Sequence, residues 1–311
     1  FTAASIMIVI PTAVQMFCWI ATIWTGKLRI ATPVLFVIAF FVTFTVGGMT
    51  GIMLASVPLD WQIHDTMFVV AHLHYVLIGG SVFPLFGALH FWFPKWTGRM
   101  YSEGLGRLSF WLVFIGFNVV FFPMHILGLY GMPRRVYTYQ AGLHWETLNK
   151  VASAGAGLIA LAVLTMLINF AISRRSGAVA GPNPWNADTL EWWIASPPPS
   201  YDFLHIPVVS GPNAVWDAAP NQPYVTGMSF EKREVLVTKV LDAEPDHREE
   251  LPRHSIWPFV LAVASTIGLI GSIFYAWFFT IGLILAGIAG ICWFWPKRED
   301  IRHQLALEGR A

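Results

Sequence analysis

Asp65 and Lys95 are separated by a stretch that contains no Asp, Glu, Lys or Arg but carries three histidines, two of them only two positions apart. A segment of this length and polarity predicts a transmembrane helix. Histidine is costly in hydrocarbon, so His72 and His74 predict a functional site. At about 100° per residue, side chains two positions apart point roughly 200° away from each other. This geometry suits a helix placed between two flat cofactors, with one imidazole offered to each.

The composition also indicates a membrane protein. The chain is 56% hydrophobic and 12% charged, and this charged fraction is about half of the globular norm. A net charge of +1 gives no support to a nucleic-acid partner. Cys18 and Cys292 both lie in apolar segments, so no disulfide framework or Cys-x-x-Cys site is expected. Because the sequence starts without Met inside an apolar segment, we expect a fragment or a trimmed N-terminus.

The apolar segments predict an all-α fold, a polytopic membrane bundle of about seven transmembrane helices. The predicted spans are residues 1–25, 32–55, 66–93, 108–130 and 151–172, followed by two short spans within 256–295 and a tight turn near 275–278. Residues 176–254 are rich in Pro, Trp, Asn and acidic residues, and predict an extra-membrane loop with short extended pieces. The predicted divisions are 1–175, 176–254, 255–296 (a transmembrane hairpin) and 297–311 (a polar tail).

The distribution of basic residues predicts the orientation. The loops after the first, third and fifth spans hold most of them: Lys27, Arg29, Lys95, Arg99, Arg107, Arg174 and Arg175. The positive-inside rule places these loops in the cytoplasm. The pairs His64-Asp65 and Arg134-Arg135 are then expected on the outer side, in the same leaflet as the two intramembrane histidines.

This arrangement predicts a heme site. His72 and His74 lie roughly 11–15 Å below Asp65 along a helix. A heme at that depth could turn its propionates outward, where Arg134 and Arg135 would pair with them through planar guanidinium groups.

A second candidate site lies at the membrane edge. His64 and Asp65 are adjacent there, and an imidazole and a carboxylate could bind a hard divalent cation, completed by waters or another subunit.

Simpler interpretations remain open. Alone, the arginine pair would be an interfacial anchor, and His64-Asp65 a loop hydrogen bond. His90 and His125 fit packed or interface positions better than ligand positions. A proton-coupled transporter that uses its intramembrane histidines as a relay or substrate site is an alternative of a different class.

Several sequence strings together resemble subunit I of the heme-copper cytochrome c oxidases. They are His64-Asp65-Thr66, residues 71–77, Phe121-Phe122-Pro123-Met124-His125, Gly131-Met132-Pro133-Arg134-Arg135, residues 4–17 and the glycine-rich residues 45–51. The resemblance covers residues 1–175 in order, and implies the last five of twelve core helices. The loop and last two spans resemble a C-terminal extension found in some bacterial chains.

The resemblance implies specific roles. His72 matches the axial ligand of the high-spin heme, and His74 one axial ligand of the low-spin heme. His64 and Asp65 match the family's binding site for a magnesium or manganese ion, and Arg134 and Arg135 match the partners of the heme propionates. Asp60 matches an acidic residue near a propionate of the high-spin heme, and Thr12 matches a threonine of a proton path.

The resemblance also implies an activity and a setting. The reaction is reduction of oxygen to water by cytochrome c, coupled to proton pumping, with heme A, copper and magnesium or manganese as cofactors. The implied partners are oxidase subunits II and III, cytochrome c and the lipid bilayer, and the implied location is the bacterial inner (plasma) membrane. A quinol oxidase of the same superfamily is the nearer alternative.

Two departures from the family pattern bear on activity. The family's copper ligands, cross-linked tyrosine and other low-spin axial histidine precede this region, so we expect the chain alone to be inactive. Gln15 stands where the family usually has a lysine, and an amide can hydrogen-bond a water chain but cannot carry a proton as an ammonium does. Gln15 could also serve as an interhelical hydrogen bond worth about 0.6 kcal/mol.

Overall fold

A computed structural model of the chain describes residues 2–198, 203, 206–207, 209, 211–217, 224–225, 234–242, 244–251 and 255–295. The helices are α1 Thr2–Met7, α2 Val9–Thr25, α3 Thr32–Ala55, α4 Val57–Ile63, α5 Met67–Leu77, α6 Phe83–Thr97, α7 Glu103–Leu129, α8 Glu146–Ser176, α9 Trp257–Ser272 and α10 Trp277–Phe294. A π-helical turn, Ile78–Val82, joins α5 to α6, and Leu190–Trp192 forms a 3-10 turn. The strands are β1 Ile206–Pro207, β2 Tyr224–Val225, β3 Glu234–Thr238 and β4 Pro245–Glu250. The predicted polar tail, 297–311, lies outside the described residues.

The prediction of an all-α, polytopic membrane fold is confirmed. In the described part of the chain, six helical segments are long and apolar enough to cross a bilayer: Thr2–Thr25, Thr32–Ala55, Met67–Thr97, Glu103–Leu129, Glu146–Ser176 and Trp277–Phe294. The sixth predicted span corresponds to α9, which has 16 residues. At 1.5 Å per residue α9 is about 24 Å long, somewhat less than a hydrocarbon core of about 30 Å.

The helices extend beyond the apolar windows from which they were predicted. α6 continues to Thr97, and α7 and α8 begin at Glu103 and Glu146. The prediction stopped at the first charged residues, whereas backbone hydrogen bonding continues through these polar terminal turns. The turn between α9 and α10 occupies residues 273–276, slightly before the predicted position, with the Tyr275 N–H donating to the Gly271 carbonyl at 3.0 Å.

The chain forms two compact units, Phe1–Val225 and Thr226–Ala311, and the division falls within the predicted loop 176–254. In the second unit, α9 and α10 pack closely at two glycines. A Cβ added to Gly282 would lie 2.2 Å from the Gly268 Cα, so this contact requires glycine. β3 and β4 form an antiparallel pair in the same unit.

An aromatic core holds the helices of the first unit together. Phe36 of α3, Phe83 of α6 and Phe117 of α7 are fully buried. The Phe36 ring lies 5.1 Å from that of Phe110, and the Phe83 ring 5.4 Å from that of Phe117, both edge to face. Large rings in this arrangement stabilise a core beyond the area that they bury. The core therefore fixes α3, α6 and α7 around α5.

The ends of α5 and α7 near Asp65 are joined by backbone contacts. The Met67 N–H donates to the Met132 carbonyl, and the Arg134 N–H donates to the Asp65 carbonyl, each at 2.9 Å. The two helices approach so closely that a Cβ on Gly128 would lie 2.1 Å from the Phe68 nitrogen. Only glycine is compatible with this approach, which sets the position of the start of α5.

The segment after α8 packs on the opposite ends of the helices. Lys95 Nζ donates to the carbonyls of Pro182 and Ile194 at 2.9 and 2.8 Å. The Arg29 guanidinium donates to the Pro184 carbonyl at 2.9 Å. Lys95 and Arg29, which were both predicted on the cytoplasmic side, therefore bind the same segment, residues 182–194.

We expect Gly128→Ala to destabilise the fold, because the new methyl group would collide with the α5 backbone. Overpacking of this kind costs about 1–3 kcal/mol, so the thermal midpoint of the purified protein, followed by circular dichroism, should fall. Gly157→Ala in α8 is the matched control, since nothing lies within 4 Å of the added Cβ. Equal midpoints for the two variants would contradict the close contact.

Candidate functional site

The helix that carries both intramembrane histidines starts at a well-formed cap. Thr66 accepts a hydrogen bond from the Phe68 N–H at 3.3 Å, and its hydroxyl donates to the Ile63 carbonyl at 2.6 Å. A capping threonine satisfies a backbone N–H that the helix leaves unpaired. The cap and the contact at Gly128 hold α5 in place, so His72 and His74 project from a fixed helix.

His72 faces α3. Its Nδ1 lies 3.0 Å from the Gly47 carbonyl and 3.1 Å from Thr50 Oγ1. A carbonyl oxygen can only accept, so Nδ1 carries the proton and Nε2 has a free lone pair. A Cβ added to Gly51 would lie 3.0 Å from the imidazole Cε1, which shows how closely α3 passes. Gly47 is equally close to α5, where an added Cβ would lie 3.1 Å from the Val76 nitrogen, so glycines of α3 permit this contact.

His74 faces α7. Its Nδ1 lies 2.7 Å from the Val70 carbonyl, so its Nε2 also retains a free lone pair. The imidazole stacks on Phe121, with ring centroids 4.1 Å apart and planes 15° from parallel. The two imidazoles therefore lie against different helices and each leaves Nε2, the atom that ligates a metal in this tautomer, without a proton.

Charged side chains gather at the Asp65 end of the same helix. Arg134 Nη2 is paired with Asp65 Oδ1. The other carboxylate oxygen, Oδ2, lies 3.8 Å from His64 Nε2, and His64 Nδ1 lies 3.7 Å from Asp60 Oδ2. The structure therefore brings together four predicted site residues. Asp60 lies on α4, His64 and Asp65 lie in the turn before α5, and Arg134 lies in the segment after α7.

The charge of Asp65 is stabilised by its neighbours. The hydrogen bond from the Arg134 guanidinium holds the pKa of Asp65 below its ordinary value, and the charges of Arg134, His64 and Arg135 act in the same direction, against a smaller effect of burial. Asp65 is consequently anionic at neutral pH. Because Arg134 occupies Oδ1, Oδ2 remains available beside the His64 imidazole.

Two residues of this region adopt a left-handed backbone. Asp65 has φ +59° and Arg135 has φ +67°. Non-glycine residues rarely adopt this conformation, and each costs about 1–3 kcal/mol unless the surroundings enforce it. Here the backbone hydrogen bonds between residues 65–67 and 132–134 hold Asp65 and the residue before Arg135 in place, and so enforce the left-handed conformation. The Arg135 side chain remains exposed.

The side chains of His72, His74 and Arg134 fit a heme. Each imidazole offers a free Nε2 lone pair. Arg134 Nε is buried without a hydrogen-bond partner, so it is a donor that a carboxylate could satisfy. His72 or His74 could therefore hold an iron, and Arg134 a propionate.

The side chains of His64 and Asp65 provide part of a cation site. Asp65 Oδ2 and His64 Nε2 are two potential ligands. In the part of the chain that the structure describes, no group of three or more His, Cys, Asp and Glu side chains could hold a metal ion by itself. A cation at His64 and Asp65 would need further ligands from water or another chain.

His125 was interpreted as a packed histidine, and its surroundings are unusual. The side chain is buried, and neither ring nitrogen has a hydrogen-bond partner. Its ring lies 5.0 Å from that of Phe68 and 5.3 Å from that of Tyr75, both on α5. The sequence places His125 near the arginine pair but carries no signal for this lack of partners. Thr50, the hydroxyl beside His72, was likewise not identified from the sequence.

Thr12 and Gln15 lie on α2, apart from these groups. Thr12 donates to the Ile8 carbonyl at 3.1 Å, and Gln15 is exposed. α2 has no buried residue and contacts α3 through the Trp19 and Phe40 rings, 5.5 Å apart. Among the described residues, no hydrogen bond or ring contact joins Thr12 or Gln15 to the histidines of α5.

Known proteins resemble this chain along most of its length. It is 43% identical to cytochrome c oxidase subunit 1 of Bacillus sp. over 272 residues, 87% of this chain and 42% of that protein. It is 39% identical to the subunit of Bacillus subtilis over 295 residues, 94% of this chain and 45% of that protein. The subunit of Synechocystis sp. is 47% identical over 209 residues, 67% of this chain and 38% of that protein.

The chain thus spans less than half the length of these relatives. The family described as cytochrome C and quinol oxidase polypeptide I matches residues 1–158, which include α1 to α7, both histidines of α5 and the Asp65–Arg134 pair. The match, the relatives and the geometry agree, and the chain belongs to this family of heme-copper oxidase subunits.

Proposed function

We propose that this chain is the C-terminal part of the catalytic subunit of a terminal respiratory oxidase, which reduces oxygen to water with electrons from cytochrome c and pumps protons. The observation that carries the proposal is the pair of imidazoles on α5, which lie against α3 and α7 and each direct Nδ1 to a backbone carbonyl, an arrangement that leaves a lone pair at Nε2. The relatives support it, because they are named cytochrome c oxidase subunit 1. A transporter is not favoured, since the chain belongs to an oxidase family.

We assign the residues as follows. His72 ligates the high-spin heme and His74 the low-spin heme through Nε2, and we propose heme A for both. When bound, the hemes supply electron transfer and the iron at which oxygen binds. Arg134 and Arg135 hold propionates by charge-assisted hydrogen bonds, near Asp60. The buried, unpaired Nε of Arg134 supports this role.

Copper and the electron donor involve other parts of the oxidase. The resemblance assigns the copper ligands to residues that precede this sequence in the family, so we propose that the chain is inactive alone. We propose subunits II and III as partners and cytochrome c, rather than quinol, as donor, since the relatives carry that name.

The proposed setting is a bacterial inner (plasma) membrane. Six long apolar helices indicate a multi-pass membrane protein, and the relatives include bacterial proteins. We propose residues 1–175 as the oxidase core, 176–254 as an extra-membrane loop, and 255–296 as an added transmembrane hairpin. The Lys95 end would face the cytoplasm and the Asp65 end the outside.

Replacement of the two histidines should remove different hemes. In the intact oxidase, His72→Ala should abolish the high-spin heme spectrum and oxygen reduction, and His74→Ala should remove the low-spin heme spectrum, because the imidazoles lie against different helices. Optical spectra of the purified enzyme measure both. Leu73→Ala, between them, should preserve both signals. Loss of the same signal in both variants would refute a separate heme at each face.

Replacement of the His64 and Asp65 ligands should release a divalent cation and leave both hemes. Changes in the second shell of a metal site cost about 10- to 100-fold in affinity, and loss of a direct ligand in His64→Ala or Asp65→Asn should cost at least as much. Electron paramagnetic resonance of the manganese-grown enzyme measures occupancy. Glu146→Gln, which alters another carboxylate expected on the outer side, is the control. Stoichiometric manganese in both site variants would disprove the assignment.

Gln15 is proposed to lie on a proton path with Thr12, because it is exposed on α2 and has no hydrogen bond in the described part of the chain. Gln15→Leu should slow the reduction of the oxygen-binding heme in stopped-flow measurements, and Gln15→Lys should accelerate it. Gln62→Leu, an exposed glutamine on α4, should leave the rate unchanged. If neither Gln15 variant changes the rate, protons reach the site by another route and Thr12 also loses its role.

A further inference from the structure

A cluster of buried polar side chains lies at the Lys95 end of the helices, away from the histidines of α5. Thr32 begins α3, His90 lies on α6, and Tyr101 lies between α6 and α7. Thr32 and His90 have no exposed surface, and Tyr101 is 5% exposed. Within the described residues, three of their atoms have no hydrogen-bond partner: Thr32 Oγ1, His90 Nε2 and Tyr101 OH. Buried polar atoms nearly always have partners, so three in one place require an explanation.

The side chains are held around a common space by their packing. The His90 and Tyr101 rings meet edge to face, with centroids 5.0 Å apart and planes at 84°. His90 also stacks on Phe36, one helical turn after Thr32 on α3, at 5.5 Å. Thr32 and Tyr101 meet at Gly106, where an added Cβ would lie 2.6 Å from Thr32 Oγ1 and 3.2 Å from Tyr101 Cε2. Tyr101 therefore packs against His90 of α6 and lies near Thr32 of α3, beside Gly106 of α7.

The chemistry of the three atoms is complementary. His90 Nδ1 lies 2.7 Å from the Phe86 carbonyl, so it carries the proton and Nε2 is an acceptor. Burial raises the pKa of the Tyr101 phenol, and the charge of Glu103 raises it further, so the phenol remains a donor. The Thr32 hydroxyl can donate or accept. Hydrogen bonding with Glu103 raises the pKa of Tyr101 and hydrogen bonding with Thr32 lowers it, yet among the described residues the phenol oxygen has no partner at good hydrogen-bond geometry.

Glu103 connects the cluster to the surface. Its Oε1 accepts hydrogen bonds from the Thr32 N–H at 2.9 Å and from Arg107 Nε at 3.0 Å. Its side chain is 38% exposed, whereas the cluster behind it is closed to solvent. A single water molecule, which can donate two hydrogen bonds and accept two, can be a partner for all three atoms at once.

We propose that Thr32, His90 and Tyr101 bind one buried water molecule. The water accepts from the hydroxyls of Tyr101 and Thr32 and donates to His90 Nε2, with its second proton directed at the Glu103 carboxylate. Buried waters typically make about three such bonds and join elements that cannot bond directly. This water ties the start of α3, the end of α6 and the start of α7 together, and it links His90 to the surface through Glu103.

High-resolution cryo-electron microscopy of the intact oxidase tests the proposal directly. The expected result is density for a single water within hydrogen-bond distance of Thr32 Oγ1, His90 Nε2 and Tyr101 OH. A Tyr101 hydroxyl bonded directly to His90 Nε2, with no density between the three atoms, would overturn the proposal. This measurement uses the unaltered protein and so does not depend on the folding of a variant. It is also independent of the heme assignments, which concern α5.

A double-mutant cycle provides a second test. Tyr101→Phe and Thr32→Val should each lower the thermal midpoint of the oxidase by roughly 2–4 °C, and the double variant should lose less than the sum, because both hydroxyls bind the same water. Tyr137→Phe and Thr45→Val, whose hydroxyls are on exposed residues, are matched controls and should not change it. Strictly additive losses would contradict a shared water.

Discussion

The close contact between α5 and α7 is the interaction on which the rest of the site depends. Gly128 lies so near the Phe68 nitrogen that no side chain fits between the helices, and backbone hydrogen bonds join Met67 to Met132 and Arg134 to Asp65. In hydrocarbon, where burial of apolar surface does not drive helices together, close packing and hydrogen bonds must do so. This contact fixes α5, and α5 carries both candidate heme ligands.

The same contact joins two sites that are separate in sequence. It places Arg134 against Asp65, so one carboxylate contacts both an arginine that we propose as a propionate partner and the imidazole of the candidate cation site. The left-handed backbone of Asp65 and Arg135 is tolerated because the backbone hydrogen bonds between residues 65–67 and 132–134 hold both segments in place. The buried Nε of Arg134 and the free Nε2 atoms of His72 and His74 are the groups that bound cofactors would satisfy.

The two ends of the bundle are organised by different chemistry. Near Asp65 the polar contacts are between charged side chains, and several remain half exposed. Near Lys95 several cations are bound by backbone carbonyls, as in the contacts of Lys95 with Pro182 and Ile194, and Arg107 is paired with Glu103. Carbonyl oxygens satisfy an ammonium without adding a second charge, so Lys95 can be buried. The cluster around His90 lies at the same end and is also buried.

Much of the fold was determined by the sequence alone. The absence of charge between Asp65 and Lys95 requires a membrane helix, and the spacing of His72 and His74 separates their directions, because both follow from local helix geometry. Only the tertiary structure decided the rest. The partners of each Nδ1, the pairing of Arg134 with Asp65 rather than with Asp60, and the three unpaired atoms around His90 depend on which helices meet. Those contacts join residues far apart in the chain, through close approaches at glycines such as Gly51, Gly106 and Gly128 that no local sequence pattern specifies.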